Sequence, residues 1–216
     1  MSNPYGSWFP GLPVPSSAAP ARANDHWAEE VRGRLFDHRT IVIRGVLDDA
    51  TAGRAAAELM TLDATGDSRV TVHLDATGES LEAAFAVMDV IDLLGVPVHV
   101  LCVGRAEGPA VGVLAVATRR VATPNARIRL ADPETSMQGS ATDLVRWVEH
   151  HVEQLRRFHE RIASAVRRPV DEVAADCSAG RFLSSDEALR YGLVDEVASA
   201  RGAVYPMPGH TVGFRP

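Results

Sequence analysis

The chain has 216 residues, 46% hydrophobic content and a formal net charge of −6, enough for one domain with a substantial core and too little for two. Charge is spread along the chain without a basic cluster, which argues against nucleic acid or an anionic membrane as the main partner. All 22 positive side chains are Arg; with the Ala-rich composition this suggests a bacterial genome of high GC content, so the Arg count is not a phosphate-binding signal.

Residues 1–25 hold five of the 13 prolines and read as a flexible Pro/Ala-rich arm, in which Tyr5, Trp8 and Phe9 could serve as short anchors. No basic n-region with a continuous apolar run opens the chain, and no apolar run approaches the length of a membrane span, so a cytoplasmic protein is expected. RTIVIRG (39–45) reads as a strand and 48–63 as a helix with Asp at its start. SRVTVHLD (68–75) is a second strand, 80–95 a helix with apolar residues at three- and four-residue intervals, and VPVHVLCVG (96–104) a nearly all-apolar third strand. A helix start is expected at Pro109, then short strands in RRVAT and ARIRLA. Strands separated by helices imply repeated βαβ units and an α/β fold with a mainly parallel sheet.

Residues 140–168 form the longest expected helix, with an apolar stripe through Leu144, Val148, Val152, Leu155, Phe158 or His159, Ile162 and Val166. So long a helix should project in part and meet another subunit. A helix after Pro169, a helix capped by Ser184 or Ser185, and a last strand complete a domain over 26–199, followed by a tail over 200–216.

Candidate chemistry is sparse. Cys102 and Cys177 are too few for a disulfide framework and lack metal or redox spacing. Cys102 reads as a small buried hydrophobe, His73 and His99 as packing or surface positions on strands, and His150, His151 and His159 as solvated or interface residues of the long helix. No cofactor and no metal are expected.

The strings CVGRA, VATPNARIRLADPETSMQGSATDL and RFLSSDEALRYGLVDEV, with the long helix between them, closely resemble the proteolytic subunit of the Clp protease from about Arg34 to Ala198. The resemblance implies a crotonase-type α/β fold, a protruding handle helix, and rings around a chamber in which a Ser-His-Asp triad cuts peptides. Carried onto this chain, the serine position falls on Gly108, the histidine on Ala131 and the aspartate on Gly180. The two oxyanion donors fall on Pro109, which has no N–H, and Glu79, which brings a carboxylate instead of a glycine. A triad needs an attacking hydroxyl, a base and an orienting carboxylate, and glycine and alanine supply none of these.

The expectation is therefore a non-catalytic ring subunit that self-associates and could co-assemble with a catalytic paralogue. Docking of a Clp ATPase is doubtful, because the family's aromatic docking positions fall on Thr71 and His73. Two alternatives remain: an active serine endopeptidase, as family membership by itself would imply, or a crotonase-like enzyme using carboxylates of the former pocket, Asp75 and Glu107 beside Glu79.

Overall fold

The computed structural model describes residues 21–198, with side chains from Glu29 onward. The anchors Tyr5, Trp8 and Phe9 and the tail over 200–216 lie outside the described residues. Helix α1 (Ala21–Asp37) begins inside the stretch read as an arm. It starts just past Pro20, where the prolines end and good helix formers begin. It is tied to the next helix by Arg32 and Glu58 at 2.6 Å, and Phe36 packs on the core.

The alternation expected from sequence is present. Strand β1 (Thr40–Leu47) leads to α2 (Asp49–Ala64), whose N-cap Asp48 accepts from the Thr51 N–H. Strand β2 (Val70–Gly78), α3 (Leu81–Leu93) capped by Ser80, and β3 (Val98–Glu107) follow. Next come α4 (Ala110–Ala115), β4 (Arg119–Ala122), β5 (Arg127–Arg129), α5 (Ala141–Val166) and α6 (Val170–Ser178). The described chain closes with β6 (Phe182–Ser184), α7 (Ser185–Tyr191) and β7 (Glu196–Val197). Ser184 caps α7 in a reciprocal box with Glu187, while the buried Ser185 hydroxyl donates to the Thr123 carbonyl at 2.6 Å.

The strands run in the order β1-β2-β3-β4-β7, all neighbours parallel; β5 joins β3 in parallel and carries β6 antiparallel. Alternation along β2 sends Val70, Val72, Leu74 and Ala76 into the core, with Thr71, His73, Asp75 and Thr77 half-buried on the other face. The core side meets Leu59 and Leu62 of α2, Val87 and Met88 of α3, Val113 and Leu114 of α4, and Phe158 and Ile162 of α5. Burial lowers the pKa of His73, and burial with Arg69 and Arg119 lowers that of His99.

Helix α5 divides in two. Its C-terminal half buries Phe158, His159, Ile162, Ala163 and Val166; its N-terminal half leaves Val145, Val148 and Val152 between 51% and 58% exposed. Hydrogen bonds from Arg156 and then Arg157 hold the exposed Glu153 carboxyl at about 2, so the outer flank of the helix stays ionised. Among the described residues no helix is long and apolar enough to cross a membrane.

Candidate functional site

Three neighbouring strands, β2, β3 and β5, end at the same edge of the sheet, the place where parallel sheets open a crevice. Strand β3 gives way to α4 at Gly108, whose φ of +59° lies in the left-handed region. The Gly108 N–H donates to the Arg129 carbonyl of β5 at 3.0 Å. A Cβ on Gly108 would stand 3.1 Å from the Gly78 carbonyl oxygen and 3.7 Å from that of Ala131. Gly78, Gly108 and Ala131 thus meet at one point.

The third carried-over position joins them from the far side. Leu130 donates its N–H to the Arg181 carbonyl at 2.9 Å, and Asp132 donates to the Cys177 carbonyl at 3.3 Å, so the residues on either side of Ala131 are sewn to the segment holding Gly180. Gly180 has φ +67°, and a Cβ there would come 3.1 Å from Arg129 Nη2. The Arg129 guanidinium also lies 5.1 Å over the Phe182 ring, and its buried Nε has no hydrogen-bond partner among the described residues. Where the resemblance implies an orienting carboxylate, a cationic side chain covers a glycine.

Pro109 is buried and stands at the N-cap of α4 with φ −54°, making no side-chain cap bond. It has no N–H to offer an oxyanion. Glu79 is exposed just beyond β2. Of the candidate carboxylates, Asp75 has ion-pair partners. Asp75 lies on the half-exposed sheet face, 3.5 Å from Arg44 Nε and 3.9 Å from Arg105 Nε. Glu107 is half-buried in register with Thr77 and Arg129.

The histidines separate. His150 is exposed and His151 stacks on Trp147 with ring centroids 4.9 Å apart, as befits a solvated face. His159 departs from the expectation of a solvated or interface residue: it is 8% exposed, and its Nε2 lies 2.8 Å from Asp132 Oδ1. Cys177 is buried in the last turn of α6, and its thiol is pushed up to about 12 by burial and then by Asp132 and Asp176. The ligand atoms of Asp132, His159 and Cys177 all lie within 4.8 Å of one another. Sequence spacing does not reveal this trio, since His159 and Asp132 are 27 residues apart. The visible hint is an imidazole placed inside the apolar stripe of α5. Cys102 is buried as expected, its thiol pushed up to about 12 by burial and then by Asp75.

The chain matches the Clp protease family over residues 23–201. It is also 31% identical over 185 residues to the ATP-dependent Clp protease proteolytic subunit 3 of Rhodococcus jostii (strain RHA1), an alignment that covers 84% of this chain and 90% of that protein. With a mostly parallel sheet, a long projecting helix and the motif strings in place along that match, the chain belongs to the Clp protease family.

Proposed function

We propose that this chain is a non-catalytic, ring-forming subunit of the Clp protease type, a scaffold from which the serine-protease chemistry has been removed and which assembles with itself or with a catalytic paralogue in the cytoplasm. The observation that carries the reading is the meeting of Gly108, Ala131 and the Gly180 segment at one strand edge without a hydroxyl, an imidazole or a carboxylate among the three. Ser-His-Asp catalysis needs all three groups. Pro109 removes an amide that would stabilise the tetrahedral oxyanion, and losing one such donor alone costs on the order of 100- to 1000-fold in rate.

The exposed valines of α5 support assembly, because an apolar stripe on a projecting helix is stable in water when another subunit covers it. Thr71 and His73, polar and half-buried on β2, give a weak platform for an apolar ATPase loop. The family name of the relative favours a peptidase, but the residues at this junction lack the groups for it. A crotonase-like reading is disfavoured, since Arg44 and Arg105 engage Asp75 as ion-pair partners.

Native mass spectrometry of the full chain, alone and mixed with an intact Clp proteolytic subunit, tests the assembly. Rings are expected in one or both samples. A monomer in both contradicts the scaffold.

A further inference from the structure

Behind the former catalytic junction, three elements distant in sequence converge on one small volume. Asp132 follows Ala131 in the loop after β5, His159 projects from the buried half of α5, and Cys177 projects from the last turn of α6. The Asp132 N–H to Cys177 carbonyl bond fixes the loop against α6, and the 2.8 Å contact of Asp132 Oδ1 with His159 Nε2 fixes it against α5. His159 and Cys177 are buried, whereas the Asp132 side chain is 28% exposed, so the cluster opens to solvent on the carboxylate side.

One sulfur, one imidazole nitrogen and one carboxylate oxygen make a donor set of intermediate softness, suited to zinc-class dications and poor for magnesium or calcium, which take oxygen shells. Zinc bonds run about 2.3 Å to sulfur and about 2.0–2.2 Å to nitrogen and oxygen, so in a tetrahedral site two ligands of one ion lie about 3.3–3.7 Å apart. A spread within 4.8 Å closes with small side-chain adjustments. We propose that Asp132, His159 and Cys177 are a three-ligand site for a transition-metal dication of the zinc class, with a fourth, water-filled position on the side where Asp132 meets solvent.

A nucleophilic Cys-His-Asp triad is the competing use of these groups, and geometry disfavours it. Cys177 is 1% exposed, so a peptide carbonyl has no path to its sulfur, whereas a dehydrating ion needs only the carboxylate side. On binding, the thiol gives its proton to solvent as the metal–sulfur bond forms. The imidazole donates its Nε2 lone pair, its ring proton resides on Nδ1, and the metal replaces the hydrogen bond to Asp132. A bound ion would tie the root of the handle helix to α6 and to the loop after β5, bracing the joint between the projecting helix and the body. This inference is independent of whether the ring has peptidase activity.

The test is titration of the metal-free, full-length, untagged protein with Co²⁺ and Zn²⁺. The expected result is one Co²⁺ per chain, with a near-ultraviolet thiolate-to-cobalt charge-transfer band and the visible bands of a four-coordinate ion, both abolished when Zn²⁺ displaces it. Cys177→Ser should lose the charge-transfer band, and Cys102→Ser should keep it. Asp132→Asn and His159→Gln, followed in parallel so that poor folding of one variant leaves the others decisive, should each weaken binding at least about tenfold, the floor for even an outer-shell partner. Wild-type protein that binds no Co²⁺ stoichiometrically, or binding that survives Cys177→Ser and instead requires His150 or His151, would overturn the assignment.

Discussion

The Cβ position of Gly108 stands 3.7 Å from the carbonyl oxygen of Ala131, so two residues that the resemblance assigns to serine and histidine are neighbours across the β3–α4 and β5 junctions. On the function proposed above, the fold keeps this meeting point while positions 108, 131 and 180 carry no hydroxyl, imidazole or carboxylate. Whatever a side chain at 108 does, it must do so at φ +59° and against the Gly78 carbonyl at 3.1 Å.

Restoring a serine should therefore be costly. Gly108→Ser is expected to destabilise the chain by about 1–2 kcal/mol from the left-handed backbone alone. Denaturant melts of the two proteins check this, and equal midpoints would show that the junction relaxes freely.

The triple variant Gly108→Ser, Ala131→His, Gly180→Asp should still hydrolyse peptide at least about 100-fold more slowly than an intact family member, because Pro109 leaves the oxyanion without an amide. The same exchange places an aspartate under the Arg129 guanidinium, which would pair with it instead of leaving it to orient an imidazole. Activity within tenfold of an intact subunit would show that neither Pro109 nor Arg129 matters.

Two substitutions on the exposed flank of α5 address assembly. Val148→Glu with Val152→Glu puts charge on a stripe that another subunit should cover, and is expected to shift native mass spectra from oligomer to smaller species without changing far-ultraviolet circular dichroism. An unchanged assembly would mean that this face lies outside the interface.

Alkaline stability follows from Cys102. Its thiol is pushed up to about 12 from an ordinary 9.0, so the folded chain keeps a proton that the unfolded chain releases above that lower value. The stabilisation is complete below the unfolded value and is lost as pH rises toward the folded one, amounting to about 2 kcal/mol between about pH 8 and about pH 10.5. Urea midpoints at those two pH values should fall less in Cys102→Ala than in the parent. Parallel pH dependences would show that Cys102 ionises without hindrance in the native state.

Much of the fold was legible because its elements carry local signals. The apolar run of β3, the alternation of β2, the aspartate that opens α2 and the long stripe of α5 each announce themselves within a short window. Helix α1 was partly hidden, since a proline-rich stretch masks where helix formers take over. Strand β6 is three residues long and exists by pairing with β5, a partner far away in sequence. Motif spacing singled out Gly108, Ala131 and Gly180, while their convergence at one end of the sheet needed the structure. The Asp132, His159 and Cys177 cluster was not, because it arises from packing α5 and α6 against a loop, and a histidine in an apolar stripe reads the same whether it is filler or ligand.

Reaction of the purified full chain with an active-site serine phosphonate, while fluorogenic peptide turnover is followed, tests for serine-protease chemistry at the nucleophile itself. No covalent adduct by intact mass and no turnover above the protein-free blank are expected. A stoichiometric adduct on any serine, accompanied by turnover that the phosphonate abolishes, would contradict the proposal of a non-catalytic subunit.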